Sequence, residues 1–293
     1  MNVLNLDSIK QDLIQVAHFC AVKGLVPATS GNFSARLENQ EILISVSGKD
    51  KATLAEEDLM VVDFLGRAKA SNLKETAAQR AVSRLTRTND RSVRVISSDA
   101  EDASHVSGSY PSKRKYKLDL SSLHEDHEDD ENAENGVVQP SLKPSAETLL
   151  HTQVYRTFPN AKFIAHFHSS SSAVLSKVLL KQGIKALKLE GFELLKALSG
   201  VSTHDHTEIL PIFPNNQDIE ELADLIQPVI DKLANSEKPL HAYLLAGHGL
   251  YTWGSTVSET IRHVDALNTL IESYLLEMQL NKAIQGKEEV VGV

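Results

Sequence analysis

Apolar residues recur along this chain with two periods, and the alternation between them lays out its elements. Ile9, Leu13, Val16, Ala17 and Cys20 fall at helical spacing, which predicts a helix over residues 7–23, capped by Asp7 and ended by Gly24. ATSGNFSARL reads as a turn of small residues. EILISVS and LMVVDF read as strands joined by GKDKATLAEED. From Lys143 the pattern resumes: KPSAETLLHTQVYRTF as a helix opened by Pro144 and Ser145, KFIAHFH as a strand, EGFELLKALSG as a short helix stopped by Gly200, and TEILPIF as a strand. QDIEELADLIQPVIDKLAN predicts a helix kinked or broken at Pro228. HAYLLAG predicts a strand. Residues 255–283 predict a long amphipathic helix, with a Thr256–Glu259 capping box and an apolar face of Val257, Ile261, Val264, Leu267, Ile271 and Leu275. No internal repeat is present. The expectation is an α/β fold with strands and helices interleaved around one core.

One stretch breaks the pattern. Between about Ser71 and Leu142 large apolar residues are sparse, and the chain carries SDAEDASHVSGSYPS and HEDHEDDENAEN. Such a segment buries too little surface to offset its ordering entropy. It reads as a disordered insertion at 71–142 that splits a domain formed by 1–70 and 143–293, with a short helix allowed over 73–86. His124 and His127 lie among its carboxylates, the composition of a solvated acidic tract.

Bulk properties narrow the partners. With 293 residues and 41% hydrophobic content, the chain can bury a sizeable core. Its net charge of −9 argues against a nucleic-acid partner, yet leaves room for a small phosphorylated ligand in a local pocket of N–H donors. The single cysteine, Cys20, precludes an intrachain disulfide and lies on the apolar side of its helix, as a core residue does. No apolar run approaches the ~20 residues of a membrane span, and the N-terminus lacks the pattern of a signal peptide. A cytoplasmic protein is expected.

Three histidines carry the chemistry. His166 and His168 alternate within KFIAHFH, so on a strand both face one side. His248 follows another apolar run and sits between glycines. A lone histidine on an apolar strand is ordinarily a satisfied core residue, but two on one face are harder to satisfy. Three histidines with an open fourth position describe a catalytic metal site, most often zinc. A rival pair, His204 and His206 in STHDHTE, lies in a polar stretch and reads as a loop. SGN at 30–32, SG at 47–48 and PSAE at 144–147 each offer backbone N–H groups and hydroxyls, and together form a candidate phosphate cradle. Glu147, in the first turn of a helix, and Glu193, between two strands, are the carboxylates that could move protons if brought to the metal.

In this order SGNFS, ISVSGKDK, KPSAET, HFHS and AGHG resemble the class II aldolase/adducin-like family, over about residues 5–68 and 143–283. GFELLKAL and GHGLYTWG are similar to a branch of it that dehydrates a phosphorylated ketose. The resemblance implies a nine-stranded type of α/β/α sandwich with a central mixed, largely antiparallel sheet. It implies a homotetramer with one zinc per subunit near a subunit interface. It implies His166, His168 and His248 as zinc ligands, and Gly31, Asn32, Ser47, Gly48 and Ser145 as phosphate-binding residues. Glu193 would be the acid/base, and Glu147 matches a carboxylate that related aldolases keep near the metal. Two other activities fit the family: aldol cleavage of a sugar phosphate, or a non-catalytic adducin-like binding module, against which the intact triad argues. The insertion departs from the family pattern and enters beside Ser145, where it either perturbs the cradle or loops out harmlessly, since closure costs grow slowly with length.

Overall fold

The computed structural model describes residues 3–69, 143–236 and 240–288. All fall in one compact unit formed by Met1–Ala78 and Leu142–Val293. The stretch 71–142, with its expected disorder, its short helix and His124 and His127, lies outside the described residues.

Eight strands form one sheet: β1 Asn32–Arg36, β2 Glu41–Ser45, β3 Leu59–Asp63, β4 Phe163–Phe167, β5 Ala186–Leu189, β6 Glu208–Phe213, β7 Ala242–Leu245 and β8 Gly249–Gly254. Their order is β3-β2-β1-β4-β8-β7-β6-β5. Only β6 and β7 run parallel; every other neighbouring pair is antiparallel. The mixed, largely antiparallel sheet is as expected, with one strand fewer among the described residues.

The strands' period of two sends alternate side chains into two separate layers. On one face α1 (Val3–Val22), α3 (Ser170–Lys181) and α5 (Val257–Glu288) pack Leu13, Cys20, Leu175, Val264 and Leu267 against Phe33, Ala165 and Leu244. On the other, α2 (Thr148–Thr157) and α4 (Ile219–Ala234) pack Leu150, Val154, Leu222 and Ile226 against Ile44, Ile164 and Tyr243. Each fully buried aliphatic side chain contributes roughly 1.5–3 kcal/mol, and the sum lets the centre of the sheet carry buried polar groups. Cys20 is fully buried, as expected.

Several expectations need correction. Helix α1 begins upstream of Asp7, so Asp7 is no cap; it accepts from Lys10 at 3.0 Å within the helix. NFSAR is strand β1 rather than a turn, central in the sheet and buried on both faces. Helix α3, capped by Ser169 accepting from the Ser172 N–H at 3.2 Å, and strands β5 and β8 were not expected. The PSAE segment is a turn before α2, which starts at Thr148. Helix α4 runs unbroken through Pro228, because its buried face of Leu222, Ala223, Ile226 and Ile230 outweighs one missing backbone bond. Helix α5 starts as expected: the Glu259 N–H donates to Thr256 Oγ1 at 3.1 Å. The Glu259 carboxylate, however, accepts the N–H of Ser255 rather than that of Thr256.

Where the described chain stops and resumes, it is tied to the sheet. Ala68 bridges Val62 and Pro144 bridges Val46, and the Ser47 N–H donates to the Lys143 carbonyl at 3.1 Å. Among the described residues no helix is long and apolar enough to cross a membrane.

Candidate metal centre and anion cradle

Strands β4 and β8 are neighbours, with His166 opposite Tyr251 and Phe167 opposite Leu250. The turn between β7 and β8 holds His248, whose N–H donates to the Leu245 carbonyl at 3.1 Å. This places His248 beside the end of β4. His168, just past β4, is fixed by its N–H donating to the Leu25 carbonyl at 2.8 Å. The three rings converge: His168 Nε2 is 2.8 Å and His248 Nε2 3.4 Å from His166 Nε2. They are the only group of three or more metal-capable side chains found among the described residues.

The donor set fits a metal ion. His166 Nδ1 is 3.2 Å from the Leu250 carbonyl, an acceptor, so Nδ1 carries the proton and Nε2 turns its lone pair inward. Burial, the neighbouring imidazoles adding to it, lowers the His166 pKa well below the ordinary value, and burial together with His248 holds His168 at about 4. Neutral imidazoles are the ligand form. Two nitrogens on a tetrahedral ion at about 2.05 Å each would be about 3.3 Å apart, against 3.4 Å between His166 and His248 and 2.8 Å between His166 and His168. Glu147 adds a carboxylate, Oε2 3.3 Å from His166 Nε2 and Oε1 3.4 Å from His248 Nε2. Burial alone would raise the Glu147 carboxyl. The adjoining His166 and His248, with hydrogen bonds from Asn32 at 2.7 Å and Tyr251 at 2.9 Å, bring it down to about 2 instead. A buried carboxylate among converging imidazole nitrogens is a site built for a cation.

A cavity of about 320 Å³ opens beside this centre. Gly31, Asn32, Ser47, Gly48 and Ser145, the five residues expected to hold phosphate, all line it, together with Glu147, His168 and His248. Gly31 has φ +74°, and a Cβ there would come within 2.7 Å of the His166 carbonyl and of Val26, so glycine is what allows β1 to approach β4. Because Ser47 and Ser145 share this cavity, the cradle is assembled on both sides of the break in the described chain.

Lys51, which the sequence reading passed over, also lines the cavity. It is 1% exposed. Its ammonium is held by carbonyls rather than a carboxylate, donating to Lys49 O at 2.6 Å and Thr29 O at 3.2 Å. Burial lowers its pKa. An ammonium has three donors, so one remains for an anion.

Glu193 is elsewhere. It starts the turn Glu193–Ala197 with its side chain 73% exposed, paired with Lys196 and 3.8 Å from His204, and it does not line the cavity. The pair His204 and His206 does not converge either: His204 is exposed, and His206 Nε2 meets Glu208 at 2.9 Å.

The sequence model of the Class II Aldolase and Adducin N-terminal domain matches residues 11–275. The chain belongs to this family. Among class II aldolase and adducin relatives it is 33% identical over 273 residues to "Methylthioribulose-1-phosphate dehydratase" of Sorangium cellulosum (strain So ce56), spanning 93% of this chain and 94% of that one. It is 35% identical over 261 residues to the protein of the same name from Methylococcus capsulatus (strain ATCC 33009 / NCIMB 11132 / Bath), spanning 89% and 90%. The crystal structure of L-fuculose-1-phosphate aldolase from Thermus thermophilus superposes with a TM-score of 0.54 at 19% identity, over 93% of this chain and 95% of that one. That likeness establishes the class II aldolase fold and nothing further.

Beyond Lys51, the cavity wall includes Asn215, Asn216 and Gln217, and Tyr251 meets Glu147. Each had a signal in the sequence: a lysine three residues past a Ser-Gly turn, a polar triplet ending an apolar strand, and a tyrosine three residues past His248.

Proposed function

We propose that this protein is a hydro-lyase that dehydrates 5-methylthioribulose 1-phosphate to 2,3-diketo-5-methylthiopentyl 1-phosphate, a step of methionine salvage. The observation that carries the reading is the opening of the three-histidine centre into the same cavity as five candidate anion-binding positions and a buried lysine. The name shared by two relatives at 33% and 35% identity supplies the substrate. On this reading residues 1–70 and 143–293 form the catalytic domain and 71–142 an insertion.

His166, His168 and His248 would hold zinc, which when bound supplies Lewis-acid polarisation of the substrate carbonyl. Gly31, Asn32, Ser47, Gly48, Ser145 and Lys51 bind the phosphate and fix the ketose beside the triad. Glu147, already ionised, takes the proton from C3. The C4–O bond breaks, the C3–C4 double bond forms, and the hydroxyl leaves as water with a proton that Glu193 takes from solvent and passes on. The enol then tautomerises to the diketone. Because Glu193 lies on an exposed turn, it serves the site of a neighbouring subunit in a homo-oligomer, a tetramer by family resemblance.

The direct test is turnover of 5-methylthioribulose 1-phosphate by metal-replete protein, followed as diketone. Diketone formation that disappears in His248→Ala supports the reading. Cleavage of the substrate into two smaller carbonyl compounds would replace it with an aldolase. Glu193→Gln is expected to keep its metal and lose about 100-fold or more in turnover. Co-expressing Glu193→Gln with His248→Ala subunits should recover part of the activity, since mixed oligomers pair an intact triad with an intact neighbour's Glu193. No recovery would count against Glu193 acting between subunits. Lys51→Met should raise KM about 10- to 100-fold with little change in kcat, the effect of removing a 1.5–3 kcal/mol hydrogen bond to a charged group. An unchanged KM would take Lys51 out of the cradle.

A further inference from the structure

Behind the metal centre, a single file of hydrogen bonds runs through the sheet's interior and ends on Glu147. Asn32 Nδ2 donates to Glu147 Oε2 at 2.7 Å. Asn32 Oδ1 contacts His151 Nε2. His151 Nδ1 is 2.7 Å from Ser34 Oγ, and Ser34 Oγ is 2.9 Å from Tyr155 Oη. All four residues behind Glu147 are buried, Ser34 and His151 completely.

The donor and acceptor of each link follow from the link before it. Asn32 donates its NH2 to Glu147 Oε2, so it turns its carbonyl oxygen to His151. His151 Nε2 must then carry a proton. Burial holds the ring at about 4, so it is neutral and Nδ1 is bare. Ser34 therefore donates to Nδ1, and its oxygen accepts from Tyr155, whose hydroxyl also lies 3.4 Å from the Lys162 carbonyl. Every donor in the file points toward Glu147, an arrangement in which each bond polarises the next.

The sequence builds this file by matching two repeats. Glu147 at the N-cap of α2 and His151 and Tyr155 within it recur every four residues, and Asn32 and Ser34 every two along β1. Four residues of helix advance about 6 Å and two of strand about 6.6 Å. The two ladders therefore stay in step and their side chains interleave.

Glu147 Oε2 is consequently clamped twice, by Asn32 and by the Tyr251 hydroxyl at 2.9 Å. Its other oxygen, Oε1, accepts neither bond and lies 3.4 Å from His248 Nε2. We infer that His151 is a positioning residue for the reaction: its Nε2–H tautomer locks Asn32, Asn32 holds Glu147 Oε2, and Oε1 is the oxygen presented to the substrate. The role in catalysis rests on Glu147 being the reactive carboxylate, as proposed above; the tautomer and the bond order do not.

The test joins spectroscopy with kinetics on the full chain. Nitrogen-15 NMR should find His151 protonated at Nε2 and bare at Nδ1 throughout about pH 5.5–8, a range in which an ordinary histidine titrates. The Asn32 side-chain amide signal should move in His151→Leu and return in His151→Gln, whose amide offers a donor and an acceptor in place of the ring nitrogens. In turnover, His151→Leu should lose about 10- to 100-fold in kcat at near-constant KM, the usual effect of removing an outer-shell partner, and His151→Gln should restore most of it. A bare Nε2, a titrating ring, or an Asn32 signal indifferent to His151 overturns the inference whatever the reaction is. The expected spectra with full turnover in His151→Leu overturn the positioning role. The expected spectra in a wild-type protein that leaves the substrate untouched refute the dehydratase reading and the catalytic role together, while the ordered file stands.

Discussion

His166→Ala is expected to leave the protein without its metal and to lower turnover about a thousandfold or more. A catalytic metal contributes several kcal/mol of charge stabilisation, and each 1.36 kcal/mol is tenfold in rate. His166 is the middle of the three rings, fully buried, and contacts both of the others and Glu147. Its removal also withdraws the proton donor that Leu250 O accepts. The check is metal stoichiometry by elemental analysis beside turnover of the ketose phosphate. Chelator-treated wild type should fall to the same level and recover on adding zinc, whereas the variant should not recover. A variant that retains stoichiometric metal and full rate would remove His166 from the centre.

The second large effect is expected from a residue without a side chain. In Gly249→Ala the new methyl would run into the Phe167 carbonyl, and would lie 2.9 Å from both His166 Cε1 and His168 Cδ2. One obstacle is backbone and the other two belong to the triad, so none can yield without disturbing the pairing of β4 with β8 or the convergence of the rings. Overpacking of this kind costs about 1–3 kcal/mol, and loss of metal should accompany it. The measurements are the denaturant midpoint and the metal content. Gly48→Ala is the control: a Cβ there meets open space, although φ is +73°, so only backbone strain of about 1 kcal/mol should appear. Equal, small effects in both variants would show that β4 and β8 have more slack than the distances allow.

The candidate metal ligands were legible because their pattern is local. His166 and His168 alternate in an apolar strand, and His248 stands between glycines at the end of another. The residues that line the cavity were legible for a similar reason, since SGN, SG and PSAE are short local runs of small and polar residues. What the pattern hid depends on contacts between distant segments. β1 reads as a turn because Asn32 and Ser34 are polar, yet they are polar in order to meet His151 and Glu147 on the α2 side of the sheet. Helix α3 was masked by a run of serines, of which Ser169 caps it by accepting from the Ser172 N–H, both residues being buried. Pro228 looked like a break because one lost bond is visible in sequence and four buried apolar neighbours are not. Lys51 was passed over, since nothing in SGKDK says that the folded chain closes over it. Glu193 shows the opposite limit: a motif gives a residue its identity without giving its distance from the centre it is expected to serve.

The stitching of Ala68 to Val62 and of Pro144 to Val46 has a practical corollary. With both mouths of the intervening stretch fixed on the sheet, added length changes only closure entropy, by about 0.6 kcal/mol for each doubling. The position between Lys69 and Lys143 is therefore a natural splice port. A fluorescent or affinity domain cloned there would be carried by a scaffold whose own catalysis reports whether the graft has been accepted.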